Sequence, residues 1–186
     1  MGLDRSLVEW MSSLHWPVVT PVMKGLTFAG AGGLVWIVLG VVAAVWLRRP
    51  LALIAVIVAI AVASYADGVL KSAIGRGRPF VGDPRVHPSI GLPHDPSMPS
   101  GHAMNAFAGA VLLAAVVPRA RWPLLGLAAL IALSRVYLGV HFPSDVIAGA
   151  ILGSGIGAAA AWLLRKGEAA LTRGTRQAGS DPERRP

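Results

Sequence analysis

Cysteine is absent from the 186 residues of this chain, and charged residues are scarce. Without a thiol the chain can form no disulfide, no thiolate nucleophile and no cysteine-ligated metal site. Charged side chains make up 14% of the residues, against roughly 25% in a typical soluble domain. Together with the 54% of hydrophobic residues, this composition excludes an ordinary soluble globular domain.

Carboxylates are the scarcer of the charged groups, with 9 Asp and Glu against 17 Lys and Arg and a net charge of +8. In a soluble protein such a charge would suggest nucleic acid. Here the basic residues lie between apolar runs and in the C-terminal tail, which fits anionic lipid and membrane topology, so we expect no nucleic-acid partner. A two-metal hydrolase needs several convergent carboxylates, so that mechanism is not expected, and no cofactor is predicted.

Five apolar runs approach the length of about 20 residues that a membrane helix needs. They cover residues 26–47, 51–70, 100–117, 122–140 and 143–164. Residues 3–24 mix charges with two tryptophans, which predicts an amphipathic helix at the membrane surface, with a sixth, poorly hydrophobic span as the alternative. The predicted fold class is therefore all-α, an integral-membrane bundle of five to six helices.

The domain prediction is one membrane domain over residues 1–166, followed by a disordered basic cytoplasmic tail over 167–186. Five spans place the N-terminus, the 71–99 region and the 135–143 turn on one side of the membrane. The opposite side carries the flanking basic residues Arg48, Arg49, Arg119, Arg121, Arg165 and Lys166. Because such residues mark the cytoplasmic face, we expect a cell-membrane protein whose first side is extracytoplasmic.

His141 and Asp145 lie between two apolar runs, where ionisable residues are costly and count as a functional-site hypothesis. Pro143 suits a first helical turn, which puts Asp145 in that turn and within reach of the His141 ring. A carboxylate on one ring nitrogen fixes the tautomer and leaves the other nitrogen free to attack or to take a proton. The alternative is a helix cap beside a surface histidine.

Two further clusters fall on the same predicted side. Lys71, Arg78 and Arg135 are three cations near the membrane surface, and an arginine fork suits two phosphate oxygens at once. Ser100 is a good N-cap, and the backbone N–H groups of Gly101 and His102 would form an anion site at the helix start. Taken singly, Lys71 and the two arginines would be snorkelling anchors and Ser100 a helix cap. His102 alone would be a helix-end histidine whose hydrogen bonds are satisfied.

Supporting roles are predicted for two more residues. Asp67 is expected to pair with Lys71 one turn later, whereas Asn105 either bonds near the site or satisfies a neighbouring helix. His87 and His94 are predicted to be solvated. Glycines at 149, 153 and 157 have a spacing that suits close helix packing.

The three clusters together read K-x6-RP, PSGH and SR-x5-H-x3-D, over residues 71–145. This set resembles the type 2 phosphatidic acid phosphatase superfamily, which is related to vanadium haloperoxidases. The resemblance implies metal-independent hydrolysis of a lipid-linked phosphate or diphosphate. It implies that His141 attacks phosphorus, that Asp145 orients it and that His102 protonates the leaving oxygen. The phosphoryl oxygens would be held by Lys71, Arg78, Ser100, Gly101 and Arg135.

The expected partners are the membrane and a lipid phosphate, and the oligomeric state is not predicted. The site's outward placement and the small domain favour undecaprenyl diphosphate, with phosphatidylglycerophosphate, phosphatidate and a phosphorylated polyprenyl-sugar as alternatives. A transporter or channel would place charges at mid-span, whereas these charges cluster at span ends. A non-catalytic lipid-binding relative would lack His141 or His102. Whether residues 79–98 gate the site is left open.

Overall fold

The computed structural model describes residues 2–179, with side chains described through residue 173. In this part of the chain all regular structure is helical and no strand occurs, which confirms the predicted all-α class. The helices are α1 (Gly2–Ser13), α2 (Val19–Gly30), α3 (Leu34–Trp46), α4 (Pro50–Ile74), α5 (Gly101–Val116), α6 (Arg121–Tyr137) and α7 (Pro143–Gly179).

The first span begins earlier than the sequence predicted. Helices α2 and α3 form one apolar stretch, Val19–Trp46, joined through a short 3₁₀ turn at 31–33. Gly32 and Gly33 have φ angles of 56° and 74°, which glycine adopts at little steric cost, so the helix bends there. Residues 19–24 therefore belong to this span, and only α1 is a separate amphipathic helix.

Proline and glycine set the ends of the helices that carry the site. Pro50 opens α4 and Pro143 opens α7, where a missing N–H costs nothing. Gly75 ends α4 in the left-handed region at φ 62°, and its N–H bonds to the Lys71 carbonyl. The chain from Gly75 to the start of α5 has no helix, as the density of glycine and proline predicted.

The predicted disordered tail is wrong over residues 167–179, because α7 continues through Gly179. Residues 167–173 include alanine, glutamate, leucine and arginine, which are strong helix formers and extend a helix that is already nucleated. The rest of that predicted tail, residues 180–186, lies outside the described residues.

In the described part of the chain, three helical segments are long and apolar enough to cross a membrane: Val19–Trp46, Pro50–Ile74 and Pro143–Arg173. Helix α5 is apolar but has only 16 residues, and α6 has 17. The outer helices expose apolar side chains, with Phe28 73% and Trp46 81% exposed. Such surfaces suit a lipid solvent, in which apolar side chains face outward.

Helix α5 forms the centre of the bundle, and most of its side chains are buried. Helix α7 packs directly on its backbone through the predicted glycines. A Cβ atom at Gly149 would lie 2.5 Å from the Ser100 carbonyl oxygen, and one at Gly157 would lie 2.5 Å from the Ala108 oxygen. Glycine is therefore needed at these positions, and it brings the start of α7 against the start of α5.

The two ends of the bundle differ in chemistry. At one end Arg49 contacts Glu168 at 2.8 Å and the Val116 carbonyl at 3.4 Å, which joins α4, α5 and α7. At the other end the last turns of α4 and α6 meet the first turns of α5 and α7. The Ser100 N–H donates to the Asp145 carbonyl oxygen at 3.0 Å across this second end. All the predicted site residues lie there.

Candidate active site

Asp145 and His141 face each other at the start of α7. The Asp145 Oδ2 atom lies 3.5 Å from His141 Nδ1, and both side chains are buried. This separation exceeds the roughly 2.7 to 3.2 Å of a good hydrogen bond, so the attraction between the two groups is mainly electrostatic. The Phe142 N–H donates to the same Asp145 oxygen at 2.9 Å and holds it toward the histidine.

Two residues outside the predicted set also bind Asp145. The Ser97 hydroxyl donates to Oδ2, and an Arg76 N–H donates to Oδ1 at 2.6 Å. With no exposed surface, the Asp145 carboxylate would be costly to bury as an anion without such partners. It is held ionised and in one orientation by groups from the loop that follows α4.

The other His141 nitrogen faces a cation. An Arg78 N–H group lies 3.3 Å from His141 Nε2 and can only donate to it, which favours the tautomer with its proton on Nδ1. Burial lowers the pKa of His141 to about 4; Asp145 opposes the shift, and the nearby Arg135 and Arg78 guanidinium groups add to it. At neutral pH the Nε2 lone pair is therefore available.

Lys71 and Arg78 share one carboxylate partner, Asp95. Lys71 Nζ lies 2.8 Å from Asp67 Oδ2, the pairing expected from their spacing, and 2.7 Å from Asp95 Oδ2. Arg78 contacts the other Asp95 oxygen at 2.8 Å. Burial raises the pKa of Asp95, but Lys71 and Arg78 outweigh it and hold that pKa at about 2. The Asp95 carboxylate thus joins the two cations that were predicted to bind phosphate.

Arg135 is buried and nearly without partners. Among the described residues its side chain makes one hydrogen bond, to Thr27 Oγ1 at 3.4 Å, and its Nε atom has no partner. No carboxylate of the described chain pairs with it. A buried guanidinium left in this condition is costly, and a phosphoryl group would offer it the acceptors it lacks.

The start of α5 supplies further unpaired polar groups. Ser100 occupies the N-cap position, but its hydroxyl makes no capping bond and is buried without a partner among the described residues. The Nε2 atom of His102 is likewise buried and unpartnered within the described chain. A Cβ atom at Gly101 would lie 2.6 Å from Asp67 Oδ2, so glycine there allows Asp67 to approach.

Most of the predicted residues line one cavity of about 310 Å³. Its walls are formed by Asp67, Lys71, Arg78, Pro93, Asp95, Gly101, His102, Asn105, Arg135 and His141. Asp145 lies behind His141, and Ser100 adjoins Gly101. Asn105 both lines the cavity and exchanges hydrogen bonds with Ser64 of α4, at 3.1 Å through its amide nitrogen. His87 and His94 are exposed.

Four residues that contact the site, Arg76, Ser97, Asp4 and Asp95, were not among the predicted site residues. Arg76 lies within the K-x6-RP segment, so its position was a usable signal. The contacts of the other three depend on how the 75–100 loop and α1 fold back onto α7, which spacing along the chain does not reveal.

This arrangement defines a class of protein: a helical membrane protein with a cavity lined by cations and two imidazoles at one end of its bundle. No group of three or more His, Asp and Glu side chains in the described part of the chain could hold a metal ion. The model of the PAP2 superfamily matches residues 52–168, and the chain belongs to this family of phosphoric-ester hydrolases.

Two relatives carry different substrate names. The chain is 39% identical over 127 residues to an undecaprenyl-diphosphatase of Sulfolobus acidocaldarius, covering 66% of this chain and 60% of the relative. It is 34% identical over 144 residues to a decaprenylphosphoryl-5-phosphoribose phosphatase of Mycobacterium tuberculosis, covering 76% and 78%. The match to the first relative thus spans less than two thirds of that protein.

A solved structure has the same fold. The transmembrane PAP2-type phosphatidylglycerolphosphate phosphatase of Bacillus subtilis superposes with a TM-score of 0.71 at 26% identity, covering 89% of this chain and 86% of that one. This chain is therefore a helical membrane protein with the PAP2 fold.

Proposed function

We propose that this protein is a lipid phosphatase that removes the terminal phosphate of a polyprenyl-linked phosphate, with undecaprenyl diphosphate as the first candidate. The observation that carries the chemistry is the single cavity lined by His141, His102 and three cations. The polyprenyl chain is supported by the two relatives described above, whose names both refer to polyprenyl lipids. A glycerophospholipid phosphate is the second candidate, supported by the likeness to the Bacillus subtilis enzyme.

In the first step His141 Nε2 attacks phosphorus, and the bond to the leaving oxygen breaks as the N–P bond forms. His102 gives its proton to that oxygen, so the leaving oxygen departs protonated. The proton on His141 Nδ1 stays in place, because Asp145 faces it and stabilises the positive ring.

In the second step His102, now neutral, takes a proton from water. The water oxygen attacks phosphorus, the N–P bond breaks and its electrons return to Nε2. Inorganic phosphate leaves, and both histidines regain their starting protonation. Arg135, Lys71 and Arg78 stabilise the charge on the equatorial oxygens in both steps, which is the main demand of phosphoryl transfer. The unpaired Ser100 hydroxyl can donate to the same oxygens.

Metal independence belongs to this proposal. The cavity carboxylates, Asp67 and Asp95, are already engaged by Lys71, and the remaining walls are cationic, so the donor set suits an anion rather than a divalent cation. We expect full activity after exhaustive treatment with a chelator. Loss of turnover that returns only with added metal would contradict this part.

We also propose that the site faces the extracytoplasmic side of the cell membrane. Support comes from the basic residues at the opposite end of the bundle. The absence of native cysteine makes a direct test simple. Val81→Cys in the site loop and Ala169→Cys in α7 should differ in intact cells, with only the first labelled by an impermeant maleimide. Labelling of Ala169→Cys alone would reverse the orientation.

A substrate panel tests the function. Phosphate release in detergent should be compared on undecaprenyl diphosphate, decaprenylphosphoryl-5-phosphoribose, phosphatidylglycerophosphate and phosphatidate, with His141→Ala and His102→Ala as controls. We expect the highest kcat/KM on a polyprenyl substrate and no phosphate release by the two histidine variants. A preference for phosphatidylglycerophosphate would support the second candidate, and folded protein inactive on all four would refute both.

A further inference from the structure

Arg76 connects the predicted nucleophile to the N-terminal helix. One of its terminal nitrogens donates to Asp145 Oδ1 at 2.6 Å and to the Ser144 hydroxyl at 2.6 Å. The other lies 2.7 Å from Asp4 Oδ2 on α1. The guanidinium also stacks over the Phe142 ring, 4.2 Å from its centroid. Four contacts thus fix its position.

Asp4, on helix α1, contacts both Arg76 and the first turn of α7. It accepts the backbone N–H of Ser144 at 3.0 Å and also the Ser144 hydroxyl. Helix α1 thereby caps the first turn of α7, one residue before Asp145. Burial raises the pKa of Asp4, but the bonds from Ser144 and Arg76 outweigh it and lower that pKa overall. The charged form is therefore the one that this contact favours.

Arg76 is placed differently from the phosphate-binding cations. It is not among the residues that line the cavity, and its two terminal nitrogens are engaged by carboxylates. Without it, the donors left to Asp145 among the described residues would be Ser97 and Phe142, both on Oδ2. Oδ1 would then be a buried anionic oxygen without a donor, and the carboxylate could rotate away from His141.

We propose that Asp4 and Arg76 are positioning residues for catalysis: α1 holds Arg76 against Asp145, which fixes the orientation of His141 for attack. This inference rests on the proposed role of His141 as the nucleophile. It makes the amphipathic N-terminal helix, outside the motif segment 71–145, a working part of the active site.

The same helix offers a matched control. Glu9 of α1 pairs with Arg85 of the same loop at 2.8 Å, and the Arg85 side chain is 64% exposed. This contact also ties α1 to the loop but does not reach Asp145. If Arg76 merely attaches α1, Glu9→Gln and Asp4→Asn should have similar effects.

The experiment compares Arg76→Gln, Asp4→Asn, the double variant and Glu9→Gln in detergent. Asp4→Asn keeps an oxygen for the Ser144 N–H, but it removes the charge facing Arg76 and replaces the oxygen that accepts from Arg76 and the Ser144 hydroxyl with an amide nitrogen. We expect Arg76→Gln to slow phosphorylation of His141 by roughly 10- to 100-fold, by analogy with the outer-shell partners that orient metal-binding histidines. KM should change little, because Arg76 does not line the cavity. Asp4→Asn should slow the step less, and the double variant no more than Arg76→Gln.

The proposal fails if Arg76→Gln or Asp4→Asn matches Glu9→Gln, or if the loss appears in KM with kcat intact. Should Arg76→Gln not fold, the comparison of Asp4→Asn with Glu9→Gln decides. Failure of the proposed function looks different: the wild-type protein would then turn over without forming phosphohistidine at residue 141, or would not turn over at all.

Discussion

Asp95 lies where a substrate phosphate is expected, and its removal should tighten anion binding. Its two oxygens contact Lys71 at 2.7 Å and Arg78 at 2.8 Å, the cations proposed to hold the phosphoryl group. A bound phosphate must share or replace these contacts. Asp95→Asn keeps the side-chain shape and leaves the bond from Arg78 Nε to the Asp95 backbone oxygen available.

The size of the effect follows from exposure. The Asp95 side chain is 50% exposed, so each ion pair is worth at most about 1 kcal/mol. Two such pairs amount to about 1 to 2 kcal/mol, which corresponds to a change of about 5- to 30-fold in a binding constant. We therefore expect the inhibition constants of orthophosphate and vanadate to fall by that factor in Asp95→Asn.

The assay is inhibition of phosphate release in detergent, at low and high salt. Asp83→Asn is the control, because Asp83 is a loop carboxylate bound to Arg85 and Arg5 and does not line the cavity. It should leave the inhibition constants unchanged. Unchanged or weaker anion binding in Asp95→Asn would refute the reasoning and would mean that Asp95 orients the two cations for substrate.

Two further predictions concern the cavity itself. Arg135→Lys should lower kcat/KM by at least about tenfold, because an ammonium replaces a two-pronged contact with a point charge; steady-state kinetics that match the wild type would exclude a forked phosphate contact. His141 should stay neutral down to about pH 4, because burial and the Arg135 and Arg78 charges lower its pKa while Asp145 raises it. In histidine-labelled protein, the NMR signal of His141 is identified as the one that is missing from His141→Gln. That signal should not titrate between pH 5 and pH 8, a range that contains the ordinary histidine pKa of about 6.5. A titration midpoint near pH 6.5 would contradict the assigned environment.

The sequence predicted the helices and the motif residues well because both depend on local patterns. Apolar length predicts spans, and Pro143 places Asp145 one turn after His141. The kink at Gly32 and Gly33 was not predicted, since either glycine could equally have sat in a straight helix. The first span also begins at Val19 and not at residue 26, because α2 precedes the kink and continues the apolar stretch.

The contacts that other residues make with the motif residues could not be predicted from local sequence patterns. Arg76 lies two residues before Arg78, a predicted phosphate ligand, and only the fold directs it toward Asp145 rather than into the cavity. Asp4 is 141 positions from Asp145 along the chain, and nothing local marks it as a cap for α7. In the sequence, nothing distinguishes Asp95 from other loop carboxylates, because its contacts with Lys71 and Arg78 depend on how the loop folds.

The central claim is that phosphorus is transferred to His141 within the cavity. The leaving group of an activated phosphate ester departs without help from an acid. The His102→Ala variant should therefore form the phosphoenzyme from such an ester and should hydrolyse that phosphoenzyme slowly. After quenching in base, mass spectrometry should find one phosphoryl group on the peptide that contains His141, and none in the variant that also carries His141→Ala. A phosphoryl group on another residue, or near-normal turnover in His141→Ala, would contradict the account.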